Sequence, residues 1–177
     1  MRPRNTLKLA GLVASVIAFA VVATIALSDR PNVELSQQRN LSIPEFTATS
    51  LLSGNDVTQQ VFKKEQYKLL NVWASWCGIC KREHEELLQL AELSVVIIGL
   101  NYRDNDQAAR EYLSSKRNPY TEVISDPNGR LAVELGVIGT PETYLIDQNG
   151  RVLIKYRGEL TSDKWNDIFS GYLNVSI

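Results

Sequence analysis

Two cysteines three positions apart carry the most chemistry in this chain, in the run Trp76-Cys77-Gly78-Ile79-Cys80. They follow a short apolar run, Leu69-Leu70-Asn71-Val72-Trp73-Ala74, and precede Lys81 to Leu93, where Leu87, Leu90 and Ala91 recur at helical spacing. A Cys-x-x-Cys at a strand-to-helix junction is the redox reading of that spacing. Two intervening residues on a first helical turn bring the sulfurs within bonding distance, so the pair can cycle between dithiol and disulfide. Cys77 would sit where free backbone N–H groups and the positive helix end favour a thiolate, the form that attacks a disulfide. Cys77 is therefore the expected nucleophile and Cys80, one turn deeper, the resolving thiol. The alternative is a permanent structural disulfide, but closing so short a loop stabilises little.

Neighbouring residues compete for roles around this pair. Trp73 and Trp76 are placed to pack the strand end, and Trp76, beside the nucleophile, is a candidate docking surface. His84 lies one turn beyond Cys80, so a copper or zinc site can be drawn through Cys77, Cys80 and His84. The fourth ligand is missing, and a helix-surface histidine is the simpler expectation, with no metal site. Glu83 reads by spacing alone as a solvated helix-face residue. A second element, Gly136-Val137-Ile138-Gly139-Thr140-Pro141-Glu142-Thr143, sets Pro141 immediately before a strand. That proline suits either an ordinary trans turn or a cis X-Pro turn alongside the cysteines.

The remaining elements form the scaffold. Residues 43–49 alternate apolar and polar and suggest an edge strand tolerating Pro44 near its start. The apolar runs at 69–74 and 95–100 read as buried central strands. Helices are expected over 81–93, over 104–116 with Asp104 as cap, over 130–135 with Gly136 as stop, and over 161–173 with Trp165 facing the core. A brief strand is expected at 122–124. Strands at 143–146 and 151–156 flank Asp147-Gln148-Asn149-Gly150, a strong hairpin signal. The order implies an α/β sandwich with a mixed sheet.

The first thirty residues differ in kind. Arg2, Arg4 and Lys8 precede Leu9–Ser28, which holds no charged residue and as a helix would span roughly 30 Å, a bilayer core. A cleaved signal peptide is the alternative, but its apolar region normally runs about 7–15 residues, and Ala26-Leu27-Ser28 is a mediocre cleavage site. The reading is a cytoplasmic basic flank at 1–8, a transmembrane signal anchor at 9–28, an exported polar tether at 29–40 and a folded domain at 41–177.

Composition narrows the remaining classes. The 177 residues are 44% hydrophobic and 22% charged, ordinary for a globular chain. The formal net charge of -1 leaves no basic surplus to neutralise phosphates, which argues against nucleic-acid binding. Two cysteines and one histidine cannot supply a disulfide framework or a four-ligand zinc site.

The run from Asn71 to His84, with Asn101-Tyr102-Arg103-Asp104, Asn118-Pro119-Tyr120 and the stretch from Gly136 to Asp147, resembles the CcmG/DsbE family. These are membrane-anchored, thioredoxin-like proteins of bacterial cytochrome c maturation, and the resemblance covers Ser42 to Tyr172. It implies a thioredoxin fold with a short insert, facing the periplasm from the inner membrane. It also implies a protein-disulfide reductase with no cofactor beyond the Cys77–Cys80 disulfide. Electrons would come from a membrane donor of the DsbD/CcdA type and pass to apocytochrome c or a CcmH-type thiol protein. By motif match Cys77 attacks, Cys80 resolves and Pro141 is cis after Thr140. Glu83 and Glu142 match positions kept acidic near the active site, where a carboxylate close to Cys80 can take its proton or raise thiol pKa values. Asn71 stands where ordinary thioredoxins carry an acid, and an amide cannot shuttle a proton.

One departure concerns the residues between the cysteines. The family usually has Pro-Thr there, whereas this chain has Gly78-Ile79. Those residues tune thiolate stability, and about 30 mV corresponds to 1.4 kcal/mol for a two-electron couple. A general TlpA-like reductase is the nearest alternative. A copper chaperone and a non-catalytic scaffold of the same fold are more distant ones. A monomer tethered to the membrane is the default assembly.

Overall fold

The computed structural model describes residues 3–28, 33–35 and 41–177, with side chains from 11–24 and 41 onward. It divides into two units, Met1–Asn32 and Val33–Ile177. In the first, α1 (Pro3–Ser28) is a single helix. Among the described residues no helix is long and apolar enough to cross a membrane. Arg2 of the basic flank lies outside the described residues.

The second unit is an α/β sandwich around a mixed sheet, as the alternation of elements implied. Its strands are β1 (Val33–Leu35), β2 (Thr47–Ser50), β3 (Asp56–Thr58), β4 (Tyr67–Trp73), β5 (Ile97–Tyr102), β6 (Glu122–Asp126), β7 (Glu142–Asp147) and β8 (Val152–Arg157). They lie in the order β1-β8-β7-β4-β5-β6-β2-β3. The pairs β4–β5 and β5–β6 are parallel and the others antiparallel. The helices are α2 (Gly78–Arg82), α3 (His84–Glu92), α4 (Asp106–Lys116), α5 (Arg130–Glu134), α6 (Ser162–Ile168) and α7 (Ser170–Leu173).

β4 lies inside the sheet and its last six residues are buried, which is why its sequence is nearly continuous in apolar residues. Alternate residues feed two cores. Leu69 and Trp73 join Leu87, Leu90, Ile97, Leu145, Trp165 and both cysteines on one face. Leu70 and Val72 join Ile98, Leu100, Tyr144 and Ile146 on the other. Each fully buried side chain of this size contributes about 1.5–3 kcal/mol relative to exposure.

Several boundaries differ from the sequence reading, each for a local reason. Three residues of the stretch read as a tether, Val33–Leu35, pair with β8 as a short edge strand. The early strand is shorter than 43–49, with a lone bridge between Ser42 and Arg151 before it. The helix expected over 81–93 starts earlier, at Gly78, because Cys77 caps it, and it is divided at Glu83. Asn105, not Asp104, caps α4, its side chain accepting the N–H groups of Gln107 and Ala108. The last helix is divided at Phe169, with Thr161 at its N-cap. β3 and the 3-10 turn at Gln59–Phe62 were not expected from sequence; each is too short to show a period.

Candidate active site

Cys77 and Cys80 form a disulfide where β4 hands over to α2, with their Cα atoms 5.3 Å apart. Cys77 is the N-cap of α2: its Sγ accepts the backbone N–H of Cys80 at 3.1 Å. That donor favours negative charge on Cys77 sulfur once the bond is reduced. Both cysteines are only 5% exposed, whereas Trp76 is 58% exposed. The indole N–H of Trp76 donates to the Arg103 carbonyl at 3.1 Å.

Asp104, expected to cap a helix, holds this turn instead. Its carboxylate accepts the N–H and hydroxyl of Ser75 and the amide of Asn101 at 3.0 Å. The chain is therefore pinned just before Trp76 and Cys77. The Thr140–Pro141 bond is cis. Pro141 is buried, Thr140 is half-buried, and Ile138 just before them is 75% exposed.

Glu83 is not a solvated helix-face residue; it is fully buried. Being three residues past Cys80, it shares that residue's helix face. Its Oε1 accepts Nδ2–H of Asn71 at 2.9 Å, and its Oε2 accepts the backbone N–H of Leu160 at 2.8 Å. Burial pushes its carboxyl up to about 7, while the Leu160 and Asn71 donors pull it down and the charges of Glu159 and Glu86 add to the rise. A carboxyl in that range can take or give a proton at neutral pH. Its neighbour Arg82 reaches the same loop and donates from Nε and Nη2 to Oε2 of Glu159 at 2.9 and 2.7 Å.

Glu142 is not brought to this side of the sheet. It is buried on the face of Val72 and Tyr144. Its Oε1 accepts the N–H groups of Ile138 and Gly139 at 2.8 and 3.3 Å, and its Oε2 accepts the Tyr144 hydroxyl at 2.6 Å. Lys155 Nζ lies 3.3 Å from Oε2 and also donates to the Gly136 carbonyl at 2.6 Å. What Glu142 does in this geometry is hold the loop that leads into Pro141.

His84 is not on the helix surface either. It is buried, its ring meets Tyr112 edge-on at 5.2 Å, and Nε2–H donates to the carbonyls of Lys116 and Arg117 at 3.0 and 3.1 Å. Among the described residues no group of three or more His, Cys, Asp or Glu side chains is arranged to hold a metal ion. Sequence reasoning also missed the residues around Glu83. Asn71 Nδ2 donates to Thr143 Oγ1 at 3.2 Å as well as to Glu83, and the Tyr120 hydroxyl donates to Asn71 Oδ1 at 2.9 Å. The available signals were Asn71, a polar residue inside an apolar strand, and the Asn118-Pro119-Tyr120 motif.

Comparison with known proteins places this geometry. Residues 38–169 match the Redoxin family. A Pasteurella multocida protein designated "Probable thiol:disulfide interchange protein DsbE-2" is 46% identical over 157 residues, covering 87% of this chain and 82% of its own. Thiol:disulfide interchange protein DsbE of Vibrio cholerae is 40% identical over 157 residues, covering 88% and 84%. Among solved structures, a secreted thiol-disulfide isomerase from Corynebacterium glutamicum superposes with a TM-score of 0.69 at 22% identity. It covers 83% of this chain and 95% of that one. That likeness establishes a thioredoxin-like α/β fold.

Proposed function

Because the chain belongs to the Redoxin family, among the DsbE thiol:disulfide interchange proteins, and is thus a thiol:disulfide oxidoreductase, we propose that it serves as a reductant in cytochrome c biogenesis. In this reading the uncharged stretch at residues 9–28 anchors the chain in the inner membrane with the folded unit in the periplasm. No cofactor beyond the Cys77–Cys80 disulfide is needed. Apocytochrome c or a CcmH-type thiol protein is the substrate, and a membrane donor of the DsbD/CcdA type restores the dithiol. Support for the cytochrome assignment comes from the four separated motifs that resemble CcmG/DsbE in order and spacing.

The reaction follows from the site. In the reduced protein the Cys77 thiolate attacks one sulfur of the partner's disulfide, and a partner thiolate leaves. Cys80, as thiolate, then attacks Cys77 Sγ, expelling the second partner thiolate and closing the Cys77–Cys80 disulfide. Two electrons have moved to the partner, which takes up two protons. The partner's extended segment would lie along the exposed Trp76 and the Thr140–Pro141 turn.

The observation that carries the reading is Glu83, one helical turn beyond Cys80 and buried between Asn71 and Leu160 with its carboxyl near neutrality. It is placed to accept the Cys80 proton as that thiol becomes the attacking group. Nothing comparable is needed by a static disulfide.

The test has two parts. Deleting the gene should abolish c-type cytochromes, with wild-type chain but not Cys77→Ser restoring them; unchanged cytochromes would sink the cytochrome assignment. The equilibrium potential of Cys77/Cys80 should fall near that of thioredoxin, about -270 mV, or somewhat above. A value near -120 mV, typical of a strong oxidant, would reverse the direction of electron flow. A general TlpA-like reductase is the second reading, favoured by Gly78-Ile79 between the cysteines. It predicts the low potential without the cytochrome phenotype.

A further inference from the structure

The motif Asn118-Pro119-Tyr120 has no part in the exchange chemistry described so far, yet the fold invests in it. Asn118 Oδ1 accepts the backbone N–H of Tyr120 at 3.0 Å, and Asn118 Nδ2 donates to the Tyr120 carbonyl at 3.2 Å. One side chain thus fixes both backbone polar groups of Tyr120. The Tyr120 ring stacks on Trp73 with centroids 5.4 Å apart and planes 20° from parallel. Gly99 makes room for the pair: a Cβ there would stand 2.8 Å from Trp73 Nε1 and 3.1 Å from Tyr120 Cγ. The backbone is fixed by Asn118 and the ring by Trp73 and Gly99, and what the ring delivers is one hydroxyl to Asn71 Oδ1 at 2.9 Å.

That hydroxyl decides which way the Asn71 amide faces. A buried hydroxyl hydrogen needs an acceptor, and among the described residues Asn71 Oδ1 is the one it has. Burial, with Glu83 nearby, holds the Tyr120 hydroxyl well above its ordinary range, so it remains a donor throughout neutral pH. With Oδ1 committed to Tyr120, Nδ2 must face Thr143 and Glu83. A flipped amide would set Nδ2–H against the tyrosine hydroxyl and Oδ1 against the carboxylate, orphaning two buried groups.

We propose that Tyr120 is a positioning residue for the thiol-disulfide reaction: it locks the Asn71 amide so that Nδ2–H stays aimed at Oε1 of Glu83, and so sets the protonation of Glu83. The inference rests on the proposed reading of Glu83 as acceptor of the Cys80 proton. Glu83 is faced by Asn71 from β4, Leu160 N–H and Glu159 from the loop after β8, Glu86 from α3, Tyr112 from α4, and Tyr156 from β8. Arg82 offsets the Glu159 charge. Asn71 is the side-chain donor in that set, and Tyr120 is what orients it.

The test is Tyr120→Phe, which removes one oxygen and leaves the stack on Trp73. In the oxidised full-length chain, labelled at glutamate carboxyl carbons, the Glu83 signal is assigned by its loss in Glu83→Gln and followed against pH. Removing the donor to the carboxylate should raise the Glu83 midpoint by about half a pH unit or more. In an Asn71→Ala background the Tyr120→Phe change should produce no further shift. A midpoint that stays in place in Tyr120→Phe, or a shift of the same size without Asn71, overturns the inference. If Asn71→Ala does not fold, Tyr120→Phe against wild type decides alone. The pH profile of disulfide reduction should move in the same direction. Should Glu83→Gln leave that profile unchanged, the proton-acceptor reading of Glu83 fails, while the carboxyl midpoint still decides whether Tyr120 governs it.

Discussion

Glu142 lies opposite Val72, not Asn71, in the β4–β7 register, and that one-residue offset separates the work of the two buried glutamates. Directly opposed residues of an antiparallel pair share a face, and neighbours along a strand alternate. Thr143, opposite Asn71, therefore faces the cysteine helix, while Glu142 faces the other core with Tyr144 and Lys155. Both acids follow the resemblance to CcmG/DsbE, but only Glu83 shares a core with the disulfide. Glu142 acts on the loop before Pro141 through the N–H groups of Ile138 and Gly139.

Replacing Glu142 tests that division. Glu142→Gln keeps an oxygen for the loop N–H groups but removes the carboxylate from the Lys155 ammonium, whose side chain is 5% exposed. Breaking a buried pair from one side costs about 3 kcal/mol or more. The expected result in urea unfolding is a loss of that order, with the Glu83 carboxyl titrating where it does in the wild type. A loss below about 1 kcal/mol, the range of exposed pairs, or a displaced Glu83 titration, would contradict it.

Glu83 makes stability depend on pH in a definite direction. Its carboxyl stands at about 7 in the folded protein against 4.5 for an ordinary glutamate. The folded state therefore holds this proton more tightly than the unfolded chain. The corresponding stability is complete below 4.5 and is lost as pH rises through about 7. The difference corresponds to something on the order of 3 kcal/mol. Unfolding of wild type and Glu83→Gln, compared at about pH 5 and about pH 8, should show the wild type losing ground to the variant at the higher pH. A difference between the two proteins that does not vary with pH removes Glu83 as the source.

The parts of this molecule legible in the sequence are those set by neighbours in the chain. Cys77 and Cys80 sit on one helical turn, and Asn149-Gly150 closes a hairpin between adjacent strands. The mixed α/β sheet follows from the alternation of apolar runs. The burial of Glu83 was not legible, because its partner Leu160 is 77 residues away and Asn71 is 12 away. A glutamate among Lys81, Arg82, Glu85 and Glu86 reads as solvated until a loop from the far end of the chain covers it. His84 was misjudged for the same reason, its cover coming from Lys116 and Arg117. Asp104 stood near a helix start, and only the parallel pairing of β4 with β5 brings it to Ser75.

Gly99 should not tolerate a side chain. An alanine Cβ would stand 2.8 Å from Trp73 Nε1 and 3.1 Å from Tyr120 Cγ, atoms of rigid rings packed in the core. Overpacking of that kind costs roughly 1–3 kcal/mol. Gly99→Ala is expected to lower the unfolding free energy by this amount and to disturb the near-ultraviolet circular dichroism of the aromatic stack. Wild-type stability together with an unchanged aromatic spectrum would show that the strand backbone, not the Trp73–Tyr120 pair, takes up the added methyl without cost.

Trp76 should separate partner recognition from intrinsic thiol chemistry. Its ring is 58% exposed beside the nucleophile, and its indole N–H is tied to the Arg103 carbonyl. The side chain is thus held in one orientation while most of its surface remains open to a partner. Removing it deletes little buried area and one exposed hydrogen bond, so Trp76→Ala should change stability by less than about 1 kcal/mol. A protein disulfide that buries the ring on docking would lose an aromatic contact, worth about tenfold or more in kcat/KM. A small disulfide such as oxidised glutathione reaches Cys77 without covering the indole, so its rate should hold. Equal losses toward both substrates would mean that Trp76 acts on the cysteines themselves, and equal retention would mean that partners approach along another edge.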